Sequence, residues 1–187
     1  MIYSINLTTA TTLDKTLIPL AVAKNFLRID TADEREDTRI TNLIKASRQE
    51  IENRLNRVVL TSTWTHRIDN FPLSTIQLMK APIQSVTTVK YYNAATPTVL
   101  TTLTENTHFR VDIYTGRISP MSGTTWPSTK SDTYNAVQVE YIAGEAVASV
   151  PPGIKNGILY KLWENYHGDP MEKMIEASTG FYRNQVF

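Results

Sequence analysis

The sequence predicts an α+β protein in which helices from the two ends form a small bundle, with an antiparallel β-sandwich or barrel-like module inserted between them. Apolar residues recur at helical spacing before Arg57 and again after Pro152, while from Val58 onward the period falls to two. Charge density also drops on passing Arg57 and threonine becomes frequent, as expected where helix gives way to strand. The divisions that follow are an N-terminal helical part over 1–57, the inserted β module over 58–143, a C-terminal helix completing the bundle over 144–170, and a C-terminal arm over 171–187.

The first helix starts near Leu20, with Leu20, Ala23 and Leu27 on one face and Lys24 and Arg28 beside them. Pro19 suits a first helical turn, where a missing N–H costs nothing. An acidic, glycine-free segment over 30–37 follows, and then Ile40, Leu43, Ile44, Ser47, Ile51, Arg54 and Leu55 form a stripe that only a long amphipathic helix satisfies. Asp33 and Asp37 are both candidate N-caps, and the clustered carboxylates suit the positive end of the helix dipole. Strands are expected near 60–68, 76–80, 86–92, 99–103, 109–113 and 137–141, the last two alternating most cleanly. Tyr114-Thr115-Gly116-Arg117 is a hairpin turn signal, and residues 93–98 read as a longer exposed tip. Pro151-Pro152 opens a last helix with Ile154, Ile158, Leu159, Leu162, Trp163 and Tyr166 inward, and residues 167–170 end it. Leu43, Ile51, Leu55, Ile158, Leu162 and Trp163 are expected to share one core. Residues 171–187 show no helical stripe and read as an arm that orders on a partner.

Composition removes several function classes. Of 187 residues 41% are hydrophobic and none is cysteine, so thiol catalysis, zinc–cysteine sites and iron–sulfur clusters are excluded. The N-terminus has no secretory pattern and no stretch nears the ~18 apolar residues of a membrane span, so a soluble, intracellular product with no membrane partner is expected. Nineteen Lys and Arg against eighteen Asp and Glu leave a net charge of +1, too little for tight binding to a phosphate backbone.

No catalytic constellation emerges. His66, His108 and His167 are far apart in sequence, and the Glu164, His167, Asp169 group reads as a solvated helix terminus rather than a metal or acid–base site. The acidic run 30–37 lacks the spacing and central glycine of a calcium loop, so capping is its expected role. Trp64, Trp126 and Trp163 have the chemistry to stack on a sugar or base, though core or interface packing explains them more simply. Catalytic, cofactor and metal residues are therefore expected to be none. The residues alone leave assembly or binding open, including a carbohydrate- or protein-binding β module using Trp64 or Trp126, and, more weakly, a hydrolase centred on Glu164 and His167.

A chain of motifs carries a resemblance further. Leu20-Ala21-Val22-Ala23-Lys24-Asn25-Phe26-Leu27-Arg28-Ile29-Asp30 resembles the opening of the head-tail connector, or adaptor, proteins of tailed double-stranded-DNA bacteriophages. Leu43-Ile44-Lys45-Ala46-Ser47-Arg48-Gln49-Glu50-Ile51-Glu52 is similar to their second-helix pattern, and the run from Leu78 through Pro82-Ile83 and Ser85-Val86 to Val89 and Tyr91 resembles their β-module signature. Trp126-Pro127, Val137 to Gly144 and Val150 to Lys155 match the closing strand and the start of the last helix in the same order. One departure is visible, since Tyr166-His167-Gly168 breaks off where the family often continues into a basic ending.

The resemblance implies a non-enzymatic structural protein of the virion, at the head-tail interface after assembly in the host cytoplasm. It would dock on the portal protein as a ring, most simply twelvefold, meet a downstream head-completion or tail protein, and extend a channel through which DNA passes without tight binding. Near neutrality fits such a wall, because a polyanion must slide past it. Ring closure requires two different faces of each subunit to meet. Lys45, Arg48, Glu52 and Asn56, on the polar side of the second helix, are the candidate ring contacts, with a plain i,i+4 Arg48–Glu52 pair as the alternative. Phe181, Tyr182, Arg183, Val186 and Phe187 are the candidate portal-docking residues of the arm, with a tail folded back over the last helix as the alternative.

Overall fold

The computed structural model describes residues 3–9, 17–95 and 99–183. Its elements in chain order are β1 (Tyr3–Thr9), α1 (Leu20–Leu27), α2 (Asp37–Leu55), β2 (Ser62–Ile68), β3 (Ile76–Gln77), β4 (Ile83–Tyr92), β5 (Leu100–Leu103), β6 (Phe109–Asp112), β7 (Arg117–Pro120), β8 (Val137–Ala143), α3 (Pro152–His167) and α4 (Glu172–Thr179), closed by a 3-10 turn over Gly180–Tyr182. They fall into two units, a β unit of residues 1–11 and 61–144 and a helical unit of residues 12–60 and 145–187.

In the helical unit the α2 stripe turns inward as spaced, burying Ile40, Ile44, Ser47, Ile51 and Leu55. These join Ala23 and Leu27 of α1, Ile154, Ile158 and Leu162 of α3, and Ile175 of α4 in one cluster, with Leu43 and Trp163 packed against its edge. Helix ends are closed by the main chain. Arg28 and Asn56 adopt left-handed conformations (φ 62° and 49°), returning N–H bonds to the last turns of α1 and α2, while Gly168 does the same for α3 at φ 83°. Neither expected aspartate caps α2. Its N-cap is Glu36, without a side-chain cap bond, and Asp37 is its first residue. Asp33 instead accepts from the Arg35 backbone N–H and side chain.

The reading of 171–187 as an unstructured arm is corrected over its first part. Residues 172–179 are helical and lie on α3, burying Ile175 and Thr179. A helix of two turns with two buried positions offers too short a stripe for periodicity to reveal, and its order comes from tertiary contact. Two glycines of α3 allow that contact. A Cβ on Gly157 would overlap Thr179 Cγ2, and one on Gly153 would sit 2.5 Å from the Ser178 carbonyl oxygen.

The β unit contains a five-stranded sheet in the order β1-β2-β8-β4-β5 and a three-stranded sheet in the order β3-β7-β6. Every pairing is antiparallel. Central β8 shows the period of two directly, with Val137, Val139, Tyr141 and Ala143 buried and the residues between them half-buried. Bulges in β4, between Ile83 and Ser85 and between Val86 and Thr88, adjust its register to β8. Among the described residues both sheets are open, so the barrel-like alternative is not what forms. Sequence reasoning did not find β1, which adds to β2 from Tyr3↔Ile68 to Leu7↔Trp64. The expected exposed tip at 93–98 lies partly outside the described residues.

Candidate functional site

The α2 face expected to make ring contacts divides in two. Lys45 and Asn56 are exposed. Arg48 retains 11% of its side-chain exposure, its Nε 3.8 Å from Glu52 Oε1. The same Glu52 oxygen accepts the Val59 N–H at 3.0 Å, so this carboxylate fixes the chain leaving α2. Arg48 and Glu52 thus take part in the unit's own packing, while Lys45 and Asn56 stand free at its surface.

The tail residues divide as well. Tyr182 packs against the helical core at Gly153, whereas Phe181 is 94% exposed and Arg183 is exposed beside it. Val186 and Phe187 lie outside the described residues. Ion pairs add to the packing that anchors this end. Glu172 receives both guanidinium arms of Arg54, one at 2.7 Å, and Lys161 bridges Glu50 (3.0 Å) and Glu164 (2.9 Å). The hydrogen bond from Lys161 holds the Glu164 carboxyl below its ordinary range, and Arg54 does the same for Glu172. Glu164 also accepts the Met171 N–H at 3.2 Å, closing the turn between α3 and α4.

The groups weighed for chemistry are occupied structurally. Glu164 is engaged as described, His167 lies against Trp163 and Tyr166, and Asp169 is exposed. Among the described residues no three His, Asp or Glu side chains gather in a way that could hold a metal ion. His66 is buried in β2, and desolvation lowers its pKa, so it is neutral at pH 7. The acidic loop 30–37 does surround a cation, but a covalent one. Lys24 of α1 is only 2% exposed, and its ammonium donates to the Thr31 and Asp33 carbonyls at 3.2 and 2.7 Å and pairs with Asp37. Sequence reasoning placed Lys24 at helical spacing beside Ala23 and Leu27 without seeing that the following loop supplies its partners. A charged residue next to a buried face, followed within ten residues by an acidic turn, was the available signal.

The tryptophans are similarly committed. Trp64 donates to Ser62 Oγ at 2.8 Å and carries Lys80 over its ring, and Trp163 meets Phe26 edge-on at 5.9 Å. Trp126 stacks on Phe71 at 4.7 Å, nearly parallel, and donates to the Ser74 carbonyl at 3.1 Å. It borders an open cleft of about 480 Å³ whose walls include Tyr91, Leu103 and His108 and no charged residue. Such a lining offers no acid–base pair.

Set beside known structures, the fold is similar to that of chains from gene transfer agent particles. A chain from the neck of an empty gene transfer agent (GTA) particle, computed with C6 symmetry, is 21% identical with a TM-score of 0.79, over 97% of this chain and 96% of that one. A chain from the neck of the native GTA particle, computed with C12 symmetry, is 19% identical with a TM-score of 0.74, over 97% and 96%. A chain from the virion of the native particle is 19% identical with a TM-score of 0.75, over 97% and 95%. Residues 18–107 match the family model described as phage gp6-like head-tail connector protein, the family to which the motifs from Leu20 to Tyr91 point. No curated protein matches the chain.

Proposed function

We propose that this protein is a non-catalytic head-tail connector subunit that assembles as a twelvefold ring on a portal protein, extends the DNA channel and receives a downstream head-completion or tail protein. Its place is the head-tail interface of the virion, reached after assembly in the host cytoplasm. The observation that carries the reading is the coincidence of the connector family match over 18–107 with a fold likeness to GTA neck chains over nearly the whole length. The net charge of +1 supports the channel role, since a wall that neutralised phosphates would retard DNA. Within the β unit we read the two sheets as the layers of a sandwich, consistent with the Tyr141 hydroxyl of β8 accepting the Lys80 N–H at 3.3 Å, near the start of the smaller sheet.

Lys45 and Asn56 are assigned to contacts between neighbours, with Arg48 and Glu52 holding the face they stand on. Portal docking is assigned to Phe181, Arg183, Val186 and Phe187, with Tyr182 as the anchor that holds their base. Electron microscopy of the protein mixed with its neighbouring portal is expected to show a twelvefold ring seated on it, and a portal that stays bare at saturating protein overturns the reading. Truncation after Tyr182 is expected to abolish docking with an unchanged melting temperature. Retained docking removes the tail from the mechanism.

A further inference from the structure

If copies of this chain form a ring, something must join them, and among the described residues no one element collects the large exposed apolar side chains. Large exposed apolar side chains are spread over α1 (Val22), loops of the β unit (Leu73, Ile113, Tyr114, Tyr134) and the C-terminal end (Met174, Phe181). The near-zero net charge supplies no dominant field of one sign either.

The larger sheet has a feature that meets the need. Its edge strand β1 is the N-terminal segment, held to β2 by an antiparallel ladder from Tyr3↔Ile68 to Thr9↔Thr63. Main-chain hydrogen bonds of this kind are indifferent to which copy of the chain supplies the strand. Without β1, strands β2, β8, β4 and β5 still form a continuous sheet, with β2 as an open edge. The strand belongs to the β unit, while α1, the next helix, belongs to the helical unit. Ten residues separate Thr9 from Leu20, a contour length of about 35 Å at roughly 3.3–3.6 Å per residue. An edge strand bonded through main-chain contacts that any second copy reproduces is one whose exchange between protomers costs little.

We propose that Tyr3–Thr9 is donated between neighbouring copies, each copy's β1 completing the sheet of the next at the β2 edge. This rests on the ring reading above. Donor strand and acceptor edge are different surfaces, so successive donation is head-to-tail and closes into a ring without an apolar interface.

The absence of native cysteine makes the test clean. Asn6 and Thr65 are direct partners in the ladder. Side chains in such a pair have Cβ atoms ~4.5–5.5 Å apart, close enough for a disulfide after small adjustment. Single variants N6C and T65C, mixed in equal amounts, assembled on the neighbouring portal and oxidised, are expected to yield a covalent dimer on a non-reducing gel. The double variant is expected to shift most of its product from the monomer position to a ladder of multimers. The pair S4C with R67C, also in register, repeats the measurement should N6C/T65C fold poorly. A K90C/Q138C variant, paired between β4 and β8, is the control that stays monomeric. Sedimentation in parallel reports whether a ring is present. A ring whose double variants cross-link only within the monomer overturns strand donation and leaves the ring reading standing. A chain that remains monomeric with portal overturns the ring reading, and strand donation with it.

Discussion

The helical unit turns two corners, α1 into α2 and α3 into α4, and it holds them by opposite means. The first is built round a buried ammonium, Lys24, which gathers the carbonyls of Thr31 and Asp33 and the Asp37 carboxylate. The second relies on close approach, Gly153 and Gly157 admitting Ser178 and Thr179, and on ion pairs Arg54–Glu172 and Lys161–Glu164 nearer the surface. The Lys24 ammonium binds three groups of its loop at once in a packed setting, so the loop opens only by breaking them together, whereas exposed ion pairs contribute little and are screened by salt. The first corner therefore belongs to the cooperative core, and the second is the part of the unit that opens most readily.

Four substitutions or conditions sharpen this contrast. Leu162→Ala removes a fully buried side chain from the cluster the corners share and is expected to cost about 2–5 kcal/mol, read by chemical denaturation. Both corners should lose amide protection together. Lys24→Met keeps the buried volume but strands two carbonyls and a carboxylate, and about 1–3 kcal/mol is expected. Asp37 is partly open to water, which limits the loss, and amide exchange should quicken over residues 29–37 beyond the global amount. Gly157→Ala sets an overpacking cost of ~1–3 kcal/mol against a helix-propensity gain of ~0.5–1 kcal/mol, so a net loss of roughly 0–2.5 kcal/mol is expected. Its mark should be local, as faster exchange across 172–179. Equal protection of both corners in this variant contradicts the account of the glycine groove.

The smallest effect is that of acid. The carboxyls of Glu164 and Glu172 are held below their ordinary value of 4.5 by Lys161 and Arg54. A depressed carboxylate contributes stability fully above its unfolded pKa and loses it as pH falls through the folded value. The α4 segment is accordingly expected to lose protection as pH drops below about 4.5, and added salt should weaken the effect.

These corners also mark where sequence reading succeeds and fails. The α2 stripe was legible because five turns repeat one spacing, so each apolar residue votes for the same face. Strand β8 was legible for the same reason, its seven residues alternating throughout. Helix α4 gave no such repetition, and its burial depends on glycines some twenty residues earlier. Strand β1 alternates Tyr3, Ile5 and Leu7 with Ser4, Asn6 and Thr8, but its partner strand starts beyond Thr61 and nothing local announces it. Of the candidate residues, Lys45 and Phe181 are exposed. Arg48 and Tyr182 were not distinguishable from them, since burial at those positions is decided by distant segments.

The interrupted order of the helical unit has a consequence for biosynthesis. Its core needs Ile154, Ile158, Leu162 and Ile175 to cover Ile40, Ile44, Ile51 and Leu55, and the whole β unit from Thr61 to Gly144 is translated in between. At ~5–20 residues per second the ribosome leaves the α2 stripe uncovered for roughly 5–20 s after it emerges. Over that interval the nascent chain displays an apolar helix face beside strands that are already able to pair, and that face stays exposed until the last helices arrive.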